Sequence, residues 1–89
     1  MKGETKSGFK FTIKDSIKKD FRFWRNVSKS ANEPLKAFGV YEQLLGEEQL
    51  DKLEKHVESK NGVVDIDKME KEISDIFEVL GQDNDTKNS

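Results

Sequence analysis

Apolar residues recur along this chain at two different periods. Phe9, Phe11 and Ile13 alternate with Lys10, Thr12 and Lys14, the period of two that marks a half-buried strand. From Ile17 onward the spacing lengthens to three and four. Ile17, Phe21, Trp24 and Val27 predict a first helix over about Ser16 to Ser30, with Asp15 or Ser16 as its cap and Phe23 off the stripe. Pro34 is placed to open a second helix, whose apolar face is Leu35, Phe38, Tyr41, Leu44 and Leu45 and whose end is Gly46. Leu50, Leu53 and Val57 mark a third, over about Glu47 to Lys60. After the turn Lys60-Asn61-Gly62, a fourth carries Ile66, Met69, Ile73, Ile76, Phe77 and Leu80, with Asp65 or Asp67 as cap and Gly81 as stop.

Helices this short are marginal in water on their own, so the last two must bury their stripes against each other and against what precedes them. The expected architecture is all-α, a small bundle of about four helices with an extended N-terminal arm. Residues 1–15 form the arm, 16–81 the helical domain and 82–89 a disordered polar tail. No second alternating run exists for the arm to join. It is therefore expected to lie across the helices or to pair with a strand of another chain.

Composition sharpens this picture. In 89 residues, 33% are apolar and 38% charged, which implies a thin core under a strongly solvated surface. A partner or self-association would add to so small a core. The chain has no Cys, which removes disulfides and thiolate chemistry and fits a reducing cytoplasm. No apolar run is long enough to span a membrane, and MKGETKSGFKF lacks the apolar centre of a signal peptide. The net charge of -2 is unevenly spread. From Met1 to Lys36, ten Lys and Arg face four acids, a surplus of +6; beyond Lys36, six Lys face fourteen acids, a surplus of -8. Such polarity steers charged partners and favours head-to-tail association.

Candidate chemistry is sparse. Aligning Gly62 with the sixth position of a calcium loop puts Val57 first and Lys68 twelfth, where carboxylates are required, so a calcium site is not expected. His56 has Glu48, Asp51 and Glu54 near it in sequence, but helix surfaces rich in Glu and Lys produce such neighbours by chance; no metal or cofactor is expected. KKDFRFWRNVSK mixes cations with aromatics in the manner of a nucleic-acid surface. Against that reading, Phe21 and Trp24 lie on the stripe assigned to the core, and the rest of the chain is acidic. No Gly-rich phosphate loop is present and no Ser has an evident base, so catalysis is not expected. The side chains best placed for a protein partner are Phe23, Trp24 and Arg25 on the first helix and Phe38 and Tyr41 on the second.

Three stretches, DFRFWRNVSKSA, LLGEEQLDKLEKHV and NGVVDIDKMEKEISDIFEVLG, resemble the small tail assembly chaperones of long-tailed phages and prophages of Gram-positive bacteria. The resemblance covers roughly Asp20 to Gly81; the alternating N-terminal segment has no clear place in the family pattern. It implies an all-helical, non-catalytic protein of the bacterial host cytoplasm, absent from the mature virion. Such a protein coats the tape measure protein and helps recruit the major tail tube protein during tail morphogenesis. The family also implies a short form, to which this chain corresponds, and a longer form made by frameshifting. The alternative from another class is a small nucleic-acid-binding regulator that uses the basic first helix.

Overall fold

The computed structural model describes residues 1–85, with side chains through residue 81. Its architecture corrects the expected four-helix bundle with an extended arm. Three α-helices are joined to a small two-stranded antiparallel sheet. Strand β1 (Lys2–Glu4) pairs with β2 (Lys10–Thr12), with Gly3 opposite Phe11. The arm thus finds its partner within its own chain, seven residues upstream of where the alternation begins. β1 is invisible to a periodicity argument because it carries no apolar side chain. Gly3 belongs there because the Phe11 ring lies over it: a Cβ at this position would stand 2.6 Å from the end of that ring.

One face of the hairpin is core. Phe9, Phe11 and Ile13 are buried, while Lys10 and Thr12 face outward, as the period of two requires. The edge of β2 is closed by a side chain. The Thr12 N–H donates to Gln49 Oε1 at 2.7 Å, and Gln49 Nε2 donates back to the Thr12 carbonyl at 2.6 Å. The carboxamide thus stands in for a neighbouring peptide unit.

A 3₁₀ turn over Asp15–Lys19 buries Ile17 and delays the first helix. Helix α1 (Phe21–Ser30) begins five residues later than its sequence pattern suggested. Asp20 is its cap, accepting from the Arg22 and Phe23 N–H groups. The delay changes the phase: Phe23 enters the core, 0% exposed, while Phe21 is 76% and Trp24 42% exposed. The stripe that buries α1 is therefore Phe23 and Val27, and Phe21 and Trp24 are not core residues.

Pro34 opens a 3₁₀ turn (Pro34–Lys36) that runs into α2 (Ala37–Val57). The two helices expected on either side of Gly46 are one element with a kink, at which Gly46 takes φ 79° and ψ 157°. Val40, Leu44, Leu45 and Leu53 are its buried residues. On its surface Lys52 pairs with Glu48 at 3.7 Å, and Lys55 reaches Glu58 just beyond its end at 4.0 Å.

The turn that invited comparison with a calcium loop is closed by Ser59. Its hydroxyl accepts from the Asn61 and Val63 N–H groups, and Gly62 adopts φ 78°. Asp65 caps α3 (Ile66–Asp85) by accepting from the Asp67 and Lys68 N–H groups. Met69, Ile73, Ile76 and Leu80 of α3 complete the core. Gly81 does not stop this helix, which continues through Asp85; of the tail expected to be disordered, 86–89 lies outside the described residues. Among the described residues no helix is long and apolar enough to cross a membrane.

Candidate functional site

Side chains that a core would be expected to claim stand open where α2 meets the start of α3. The Pro34–Lys36 turn lifts Leu35 clear of the core, and Phe38, the second residue of α2, is 51% exposed. Ile66, at the first position of α3, is also exposed. Between them lies a groove of about 410 Å³, floored by Tyr41, Leu50, Val64 and Met69 and flanked by Glu54 and Glu70. Phe38 and Tyr41 meet edge to face, with centroids 6.2 Å apart. An apolar depression with few polar groups suits an apolar side-chain row, such as one face of an amphipathic helix.

Tyr41 reports on the groove. Burial pushes its phenol above the ordinary value of 10.0, and the nearby Glu70 carboxylate pushes it further the same way. The sign for stability follows. The unfolded phenol ionises first, so folding loses free energy as pH rises through 10 toward the folded pKa and is unaffected below that window. Titration of this single tyrosine by near-ultraviolet absorbance is expected to show a midpoint above the ordinary value, returning to it in denaturant.

The other expected contact residues lie elsewhere. Phe23 is enclosed in the core, stacked on Phe77 with centroids 6.1 Å apart, and cannot meet a partner directly. Trp24 packs edge-on to Phe23 and donates from its indole Nε1 to the Lys18 carbonyl at 2.8 Å, which fixes its exposed face. Arg25 is exposed beside it. The five residues therefore divide into a buried anchor, Phe23, a surface pair, Trp24 and Arg25, and a groove pair, Phe38 and Tyr41. Pattern reading missed Phe21 on the α1 surface and Leu35 and Ile66 at the groove, because each sits on an apolar stripe that ordinarily signals burial.

A polar cluster ties the hairpin to the helices. Glu72, buried on α3, accepts from the Thr5 hydroxyl at 2.7 Å and the Ser7 hydroxyl at 2.8 Å, and Thr5 Oγ1 in turn accepts from the Phe9 N–H. Ser7 Oγ also lies 2.9 Å from His56 Nε2. Since the single hydroxyl proton goes to Glu72, the imidazole is the donor in that contact. This is the reverse of a serine handing its proton to a base, and the cluster serves as a tie between the hairpin, α2 and α3. No group of three or more His, Asp or Glu converges on a point among the described residues.

Comparison with family models, with curated proteins and with solved structures finds no match to this chain.

Proposed function

We propose that this chain is a tail assembly chaperone of a long-tailed phage or prophage. In this reading it shields apolar helical stretches of the tape measure protein in the host cytoplasm and helps recruit tail tube subunits. It is not catalytic, and it leaves before the virion is mature. The resemblance over Asp20 to Gly81 supports the family. The observation that carries the mechanism is the open groove of about 410 Å³ on a chain that is otherwise heavily charged.

The energetics fit a coating role. Covering a side chain such as Leu35, Phe38 or Ile66 contributes about 1.5–3 kcal/mol each, from which the ordering costs of association must be subtracted. One copy on one client segment is thus held weakly. Many copies along a long client gain by effective concentration, and weak single contacts let later subunits displace them.

The test is co-expression with the cognate tape measure protein, which is expected to become more soluble. Phe38→Asp places a charge in the groove and is expected to weaken retention of a tape measure fragment by about tenfold or more. Equal retention by this variant would remove the groove from the mechanism. A tape measure protein whose solubility ignores the wild-type chain would remove the function.

One observation favours the nucleic-acid reading more than the sequence did. Phe21 and Trp24 are exposed beside Arg22 and Arg25 and are available for base stacking. A gel shift that weakens steeply between low and moderate salt would support that alternative.

A further inference from the structure

We infer that the segment taken up by the groove is an amphipathic helix whose apolar row is bordered by Lys or Arg, and that Glu54 and Glu70 select those cations. The inference rests on the reading of the groove as a site for an apolar helix face. It adds the charge that tells one such face from another.

Every charged side chain that lines the groove is an acid. The lining is apolar apart from the Tyr41 phenol, Glu54 and Glu70, in a chain that carries 16 Lys and Arg. Both carboxylates are exposed, and neither makes an ion pair among the described residues. The lysines nearest Glu54 in sequence reach other acids, Lys52 to Glu48 and Lys55 to Glu58. A helix laid over the groove strips water from Glu54 and Glu70. If it brings no cation, that loss is uncompensated; if it brings Lys or Arg, each carboxylate exchanges water for an ion pair.

The rest of the surface favours the same border. Burial, and after it the Glu70 charge, pushes the Tyr41 phenol upward, which puts that carboxylate beside the edge-to-face pair of Phe38 and Tyr41. A cation drawn there is attracted by the rings as well. Lys and Arg suit the position because their methylene stems lie along apolar walls while their heads reach outward. The acids also continue past the groove. Glu54 and Val64 line a second depression of about 450 Å³, in which Asp51 is a further carboxylate without an ion pair among the described residues. A helix of several turns can span both, with its apolar row on Leu35 and Phe38 and further cations beyond Val64.

Fluorescence anisotropy of the full chain with labelled amphipathic helical peptides tests this. The peptides share one apolar row, at i, i+3, i+4 and i+7, and differ only in having Lys, Gln or Glu at the bordering positions. The Lys form is expected to bind about threefold or more tighter than the Gln form, and the Glu form to bind weakest, with the spread closing as salt rises. Glu54→Gln with Glu70→Gln is expected to abolish the preference, and Glu54→Lys with Glu70→Lys to reverse it. Glu47→Gln with Glu78→Gln removes the same charge from exposed positions outside both depressions and is expected to leave the preference in place. Circular dichroism checks that the variants fold.

Equal binding of the peptides, a preference that survives Glu54→Gln with Glu70→Gln, or one that Glu47→Gln with Glu78→Gln removes just as well would overturn the inference. So would a chain that sediments as a dimer and takes up no peptide, since a second copy would then be the occupant. The readings beneath it fail separately. If all the peptides bind alike and Phe38→Asp releases them, the groove stands and the selection falls. If the Lys form binds as described but no tape measure fragment is retained, the chaperone function falls and the selection stands.

Discussion

Phe23→Ala is expected to cost about 3–5 kcal/mol, while Phe21→Ala, two residues away, is expected to stay within about 0.5 kcal/mol of wild type. The contrast follows from phase. The Phe23 ring is wholly enclosed, stacked on Phe77 and met edge-on by Trp24, so truncation leaves a cavity between α1 and α3. The Phe21 ring is mostly in water and leaves nothing behind. A small domain has total stability of only about 5–15 kcal/mol, and a chain with this thin a core belongs toward the low end. Phe23→Ala should therefore be largely unfolded at modest urea and lose its near-ultraviolet dichroism. Equal costs at the two positions would mean that α1 presents a different face to the core.

Gly46→Ala is expected to cost about 1–3 kcal/mol, and the cost is one of backbone alone. At φ 79° and ψ 157° the residue occupies a region that is nearly restricted to glycine, yet an added Cβ would meet no atom within 4 Å. Gly39 supplies the control. It too has open space around it, but it sits in the helical part of α2, and Gly39→Ala should stabilise by about 0.5–1 kcal/mol. Opposite signs in urea denaturation would establish that the kink, and not glycine content, is what α2 requires. Phe38 and Tyr41 precede the kink and Leu50 follows it, and all three line the groove, so Gly46→Ala should weaken client retention along with stability.

Much of this arrangement was legible in the residues. Pro34 does open a helical turn, Gly46 does leave helical geometry, and Asp65 caps the last helix. What failed was phase and pairing. Ile17, Phe21, Trp24 and Val27 have helical spacing only if the chain is helical throughout. The 3₁₀ turn ending at Lys19 and the fresh start at Phe21 break the count, which turns Phe23 inward and Phe21 outward. Strand β1 gave no periodic signal, because what it contributes is the absence of a side chain at Gly3. Gly81 looked like a stop, but α3 runs through it. At the groove, Phe38 and Tyr41 were expected as contact residues, while Leu35 and Ile66 look like core in any pattern of period 3.6. Only the junction of the Pro34 turn, α2 and α3 leaves them uncovered.

The tie between hairpin and last helix has a consequence for synthesis. Thr5 meets Glu72 and Lys6 meets Asp75 across separations of 67 and 69 residues. During translation the first strands are made long before the helix that holds them, so Phe9, Phe11 and Ile13 wait without a lid while most of the chain is still being assembled. The protein that we propose shelters another's unfinished surface must first survive with its own unsheltered, and a ribosome pause before Glu72 would prolong that exposure more than a pause after it.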